Sequence, residues 1–261
     1  MAESSLSVGL PELKSEVGWF LGMGRGVDVA WSASQLVEIL GIVQSGVRRV
    51  YYPPAVNANI VGYEWSFLRP TTTLSVVDAD WDYDLPDDFG RLIGVLHFAA
   101  AKYLNPVSII SVSRLLDLRA SSDFSGAPVY AATRYKSSTG SGGQRQELLL
   151  YPTPDAAWTM SYEYEAYNGA LSDSYPYPLG GMQLAELYLE SCLALAESRV
   201  NDTIGIHMQQ YQALLVDAIA RDRKRGAQMY GPMGSVENET EFFRRGYTGT
   251  VYPITYGGES I

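Results

Sequence analysis

The sequence is short of the residues on which covalent stapling and most catalysis depend, with one cysteine and two histidines in 261 residues. With Cys192 alone, no disulfide can close within the chain. Its setting, Glu190-Ser191-Cys192-Leu193-Ala194, reads as a helical stripe with no basic residue within a turn to activate the thiol, so a buried small hydrophobe is expected. His97 and His207 stand in helix-like contexts without ligand spacing, and a zinc site on so few His and Cys would need several carboxylates besides. Positive charge is scarce as well. The 19 basic residues stand against 29 acidic ones, a net charge of −10, which predicts a self-repelling surface that DNA phosphates push away. No uninterrupted apolar run approaches the roughly 20 residues of a membrane helix. The opening Met1-Ala2-Glu3-Ser4-Ser5-Leu6 lacks the basic residues and apolar stretch of a signal peptide, so folding in a cytosol is expected, with no membrane partner.

What is present is apolar periodicity that changes along the chain. Leu10, Leu13, Val17, Phe20 and Leu21 recur at helical spacing after a proline suited to a first turn, and Gly22, Gly24 and Gly26 end the segment. Ser32-Ala33-Ser34-Gln35 has the pattern of a capping box and opens a second helix carrying Leu36, Leu40, Val43, Val47 and Val50, which Tyr51-Tyr52-Pro53-Pro54 stops. From about residue 56 to 175 the pattern alternates and turn residues punctuate it. Its clearest strand is Trp158 to Ala166, with Trp158, Met160, Tyr162 and Tyr164 facing a core and Thr159, Ser161, Glu163 and Glu165 facing water. With strands at Pro128 to Lys136 and Gln146 to Tyr151 it is expected to form an antiparallel meander. Further strands are expected at Tyr63 to Leu68 and Thr73 to Val77, and short helical pieces at Leu92 to Tyr103 and Ser111 to Arg119.

After Pro176-Tyr177-Pro178 the helical period returns in Met182, Ala185, Leu189, Cys192 and Ala196. Asn201-Asp202 offers a cap for a last helix with Ile204, Met208, Tyr211, Leu215, Ala218 and Ile219 on one side and a basic end before Gly226. A helix with a single apolar stripe is not stable alone, so these four must face one another. The expected fold class is α+β: a four-helix bundle formed by the N- and C-terminal helices (residues 1–55 and 176–226), with an inserted antiparallel β-rich module (56–175) and an extended C-terminal arm (227–261). The arm has no periodicity yet is rich in aromatics, a composition that suits ordering against another surface.

No catalytic constellation survives inspection, and no cofactor or metal is expected. Asp78, Asp80, Asp82 and Asp84 resemble the opening of a calcium loop, but Tyr83 stands at the glycine position and Phe89 at the glutamate position. On a strand they would share one face as a solvated acidic segment. Gly22-Met23-Gly24-Arg25-Gly26-Val27 lacks the third glycine of a dinucleotide fingerprint and follows a helix where a strand belongs. Glu163 and Glu165 share a strand face as a glycosidase pair would, without an apolar pocket to raise one pKa.

The order of features resembles the adaptor, or head-completion, family of tailed bacteriophages. The resembling pieces are Gln44-Ser45-Gly46-Val47-Arg48-Arg49 followed by Tyr51-Tyr52-Pro53, then Leu85-Pro86-Asp87-Asp88-Phe89, Ser125-Gly126-Ala127-Pro128-Val129-Tyr130, Leu150-Tyr151-Pro152-Thr153-Pro154-Asp155, and Tyr162-Glu163-Tyr164 ahead of Ala170-Leu171-Ser172. They span roughly residues 33 to 225. The resemblance implies a structural virion protein at the head-tail junction, assembled in the host cytoplasm, in a ring of about twelve copies beneath the portal protein. Its implied partners are the portal, neighbouring copies, a tail or stopper protein, and genomic DNA passing through the channel. Of the arm's residues, Phe242, Phe243, Arg244, Arg245 and Tyr247 are the expected main anchor to portal or neighbour, with Tyr252 and Tyr256 secondary. The alternatives are another neck or tail component, such as a stopper or tail terminator, and a virion-associated hydrolase.

Overall fold

Helices from both ends of the chain share one apolar core, and two sheets between them share another. The structure, a computed structural model, describes residues 3–26, 30–55, 62–99, 104–122, 124–136, 143–201 and 205–225, with the backbone of 255–256 and 259–260. It divides into two units, Met1–Arg223 and Lys224–Ile261.

In the first unit, α1 (Leu10–Phe20) starts with Pro11 in its first turn and buries Leu10, Leu13 and Val17. It ends as expected: Gly22 and Gly24 take positive φ. Gly18 and Gly26 leave room for the Trp31 ring, whose atoms would stand 2.7 and 2.6 Å from an added Cβ. The glycine run is therefore a helix terminator that seats an indole. The Ser32 cap forms in full on α2 (Ala33–Tyr51), where Gln35 N donates to Ser32 Oγ at 3.3 Å and Ser32 N to Gln35 Oε1 at 2.9 Å. Both late helices form, α4 (Ala185–Asn201) and α5 (Ile206–Arg225). Of the expected cap at Asn201-Asp202, Asn201 is the last residue of α4 and Asp202 lies outside the described residues. The Glu197 carboxylate accepts from His207 N at 3.2 Å.

Buried residues of α1, α2, α4 and α5 form one cluster, joined by Trp65, Leu68 and Leu171 from the segments flanking the sheets. Trp65 Nε1 donates to Val50 O at 2.7 Å. The Tyr63 to Leu68 segment is consequently not a strand, as its alternation suggested, but an aromatic connector with a 3-10 turn at Ser66–Leu68, whose rings pack inward on the helices.

One sheet has the order β1 (Thr71–Val76), β7 (Trp158–Ala166), β3 (Phe89–Phe98), and both pairings are antiparallel. The other has the order β2 (Asp82–Asp84), β6 (Gln146–Tyr151), β5 (Tyr130–Tyr135), β4 (Ser108–Ile109). The alternation of β7 holds, with Met160, Tyr162 and Tyr164 buried. The expected meander is half correct. β5 and β6 pair antiparallel, but β2 and β5 occupy both edges of β6, so β7 joins the other sheet. Leu148 and Leu150 share a core with Val76, Met160 and Tyr162 of the facing sheet, while Leu149 and Tyr151 point the other way onto Leu115 of α3 (Val112–Ser121). A strand with apolar neighbours on both faces explains the unbroken run Leu148-Leu149-Leu150.

The expected helical piece at Leu92 to Tyr103 is also overturned, since residues 89–98 are β3. Leu92 and Leu96, four apart, fall on one face under either period. Pairing with β7 decides for the strand, and Gly94 takes a φ of 73° where the register shifts. His97 is thus an exposed strand residue, not a helical one.

Within the second unit, Thr255–Tyr256 pairs antiparallel with Glu259–Ser260. The sequence reading of an aperiodic arm did not anticipate this pairing, although Gly257-Gly258 between the strands is a hairpin signal.

Candidate interaction surface

Gln44, Val47, Arg48 and Tyr51 fall at i, i+3, i+4 and i+7 on α2 and so line one stripe, running from the buried Val47 to the exposed Arg48. With Tyr52 they form one wall of a groove of about 380 Å³, and residues 167–170, which follow β7, form the other. Two contacts fix that second wall. The Gln44 side chain holds the Leu171 backbone from both sides, donating through Nε2 to the carbonyl at 2.8 Å and accepting from the amide at 3.0 Å. Tyr167 lies over Gly90, where an added Cβ would come within 2.6 Å of its ring, and its backbone N donates to Asp88 O at 2.6 Å.

Tyr52 and Tyr167 meet edge to face across the opening, with centroids 5.9 Å apart. Burial, then the neighbouring Glu165 carboxylate and Tyr167, push the Tyr52 hydroxyl up to about 12, so it remains a protonated donor at neutral pH. Arg48 makes no ion pair with another described residue, whereas Arg49 is engaged over the Tyr211 ring at 5.6 Å.

A chain of ion pairs crosses from the connector to the sheet. Arg69 lies 3.0 Å from Glu64, Glu64 meets Arg91, and Arg91 Nε lies 2.8 Å from Glu165. Glu165, considered above as half of a glycosidase pair, is therefore tied to a guanidinium.

The most connected buried carboxylate was missed by sequence reasoning. Asp222 Oδ2 accepts from the Tyr63 hydroxyl at 2.7 Å and from Ser66 N at 2.9 Å, and Oδ1 accepts from Ser66 Oγ. This ties the end of α5 to the aromatic connector. It sits in Arg221-Asp222-Arg223-Lys224-Arg225, which reads as a basic helix end. The signal was its place on the stripe of Tyr211, Leu215 and Ala218, where an ionised side chain must have partners.

The aspartate run does not form the single face expected of it. Ala79 takes a φ of 61°, so Asp78 and Asp80 lie in a turn, and only Asp82 and Asp84 are on a strand. Asp84 pairs with Lys136 at 2.5 Å. Among the described residues no group of three or more His, Cys, Asp or Glu is placed to hold a metal ion. His207 Nδ1 lies 2.9 Å from Glu190 Oε2. Cys192 is buried where α4 meets α2, and burial pushes its thiol up to about 12. No helix among the described residues is long and apolar enough to cross a membrane. Of the expected arm anchors, Phe242, Phe243, Arg244, Arg245, Tyr247 and Tyr252 lie outside the described residues, and Tyr256 is described by its backbone alone, on the strand Thr255–Tyr256.

Among curated proteins, none matches the chain. Residues 10–235, which include all five helices and both sheets of the first unit, match the family described as SU10 adaptor protein. The chain therefore belongs to the SU10 adaptor protein family and is a phage adaptor protein.

Proposed function

We propose that the protein is the head-to-tail adaptor of a tailed phage, a structural component without catalytic activity or cofactor. About twelve copies form a ring beneath the portal protein, extend the DNA channel and offer a docking surface to a tail or stopper protein. The subunit sits at the virion neck after assembly in the host cytoplasm. Its four long helices act as a bundle that carries the inserted β module, and residues 227–261 act as an arm. The observation that carries this reading is the family match across residues 10–235. Charge supports it, because a chain with net charge −10 repels phosphates, and a conduit that repels the duplex lets it slide instead of holding it by counterion release.

Deletion of residues 227–261 tests the arm. The three apolar clusters are formed by described residues before 226, which the deletion leaves in place, so the truncated chain is expected to fold as a monomer. Co-sedimentation with portal should be lost, and native mass spectrometry of the full chain should show a ring only when portal is present. Unchanged co-sedimentation of the truncated chain would refute the arm's role, and absence of a ring with portal would refute the adaptor reading.

A further inference from the structure

We infer that the groove between α2 and residues 167–170 receives the segment Glu237–Phe243 of a neighbouring copy. The inference rests on the ring reading, since it names which two patches meet. Closing a ring needs one surface of a subunit to fit a different surface of the next.

The segment Glu237-Asn238-Glu239-Thr240-Glu241-Phe242-Phe243 places three carboxylates at every second position, immediately before two aromatic rings. In extended conformation alternate residues share a side, so the three charges align. Most of the surface of a chain with net charge −10 repels such a segment. The groove is an exception. Arg48 is exposed at its rim with no ion pair to another described residue, and Glu165 nearby is already bridged by Arg91.

The aromatic part matches too. Tyr52 and Tyr167 offer an edge-to-face pair at the opening, and Tyr167 is 51% exposed. A phenylalanine ring entering there adds a third member to the cluster. The groove volume of about 380 Å³ lies near the lower end of the roughly 300–1,000 Å³ typical of ligand-sized pockets, which suits a short run of side chains and not a folded domain.

A fluorescent peptide of residues 235–247, titrated with the full-length protein and followed by anisotropy, tests the assignment. Saturable one-to-one binding is expected, weakening with added salt. Arg48→Glu should weaken it by roughly tenfold, because one attraction becomes a repulsion against three carboxylates. A peptide with Glu237, Glu239 and Glu241 replaced by Lys should bind the wild type poorly and regain affinity for the Arg48→Glu protein. Tyr167→Ala, and separately Phe242→Ala with Phe243→Ala in the peptide, should each cost a comparable factor. Competition from the protein's own segments lowers the apparent affinity of every peptide for a given protein alike, so the ratios between peptides on one protein stay intact. Equal binding to wild type and Arg48→Glu, or no regain on the charge swap, would overturn the inference. Portal co-sedimentation is scored separately, so a failed groove and a failed ring reading give different results.

Discussion

Gly46 of α2 meets Cys192 of α4 at close range, and this contact makes a sharp prediction. A Cβ added at residue 46 would stand 2.5 Å from Cys192 Sγ, 3.0 Å from its Cα and 3.1 Å from its backbone N. Two of those three atoms are backbone, so no side-chain rotation at Cys192 relieves the overlap and the helices must part. Parting them also stretches the bond that Ser191 Oγ donates to Gly46 O at 2.9 Å. Overpacking of this kind costs about 1–3 kcal/mol, against about 0.5–1 kcal/mol gained by alanine over glycine inside a helix. Gly41, in the same helix, supplies the control. It is exposed and nothing lies within 4 Å of its added Cβ, so Gly41→Ala keeps the gain and meets no overlap.

The propensity term is common to both variants and cancels in their difference, leaving about 1–3 kcal/mol by which Gly46→Ala should be the less stable. For a chain of this size each kcal/mol moves Tm by roughly 2–4 °C, so the two melting temperatures should differ by about 2–12 °C. Scanning calorimetry under identical conditions reads this directly. Adding Cys192→Ala to Gly46→Ala removes only the sulfur contact and should restore part of the loss. A Gly46→Ala protein as stable as Gly41→Ala would refute the close α2–α4 packing on which the helical core is built.

Two further predictions concern polar groups that burial constrains. Asp222→Asn turns one acceptor toward its donors into another donor and should cost about 1–3 kcal/mol, with faster amide exchange in residues 62–68 and the last turns of α5; wild-type protection there would show that the Asp222 contacts hold nothing. Burial, the largest cause in each case, raises Tyr52, Tyr162, Tyr164 and Tyr211 to about 12. Their folded pKa values exceed the unfolded value of about 10, so the folded state holds more protons in between. The stability this contributes is complete below about pH 10 and is lost as the pH rises towards 12. Ultraviolet titration should show a late tyrosinate step coincident with unfolding, and ionisation of all 19 tyrosines near pH 10 in a still-folded protein would contradict it.

The parts of the fold legible in the sequence were those in which one local pattern had one physical solution. The Ser32 capping box, the glycine terminator after Phe20 and the alternation from Trp158 to Ala166 all formed as read. Where a pattern had two solutions, tertiary partners decided. Leu92 and Leu96 fit helix and strand equally, and Tyr63 to Leu68 alternated because its rings reach into the helical core, not because it pairs in a sheet. The two-sheet arrangement was illegible because strand order depends on which edge of β6 is already taken, and no local residue records that. The groove was illegible for a similar reason. Arg48 and Tyr52 are neighbours in sequence, but Tyr167 joins them because Gly90, far away in sequence, leaves room for its ring.

That geometry suits the groove to a short chain segment. Holding two partners in one complex costs conformational entropy, so net affinity survives best where the receptor gives up little of its own. Here one wall is a helix rooted in the helical core through Val47 and Tyr51, and the other is seated on the sheet through Tyr167. The contact that locks the walls together is the two-sided Gln44–Leu171 bond pair, half-buried and neutral. The Glu64–Arg91 ion pair joins the connector to the sheet, but it is partly exposed, and exposed pairs contribute about 0–1 kcal/mol and weaken with salt. The shape of the groove therefore depends on Gln44 and on the space above Gly90, and its charge on Arg48, so salt should weaken what the groove binds without altering its shape.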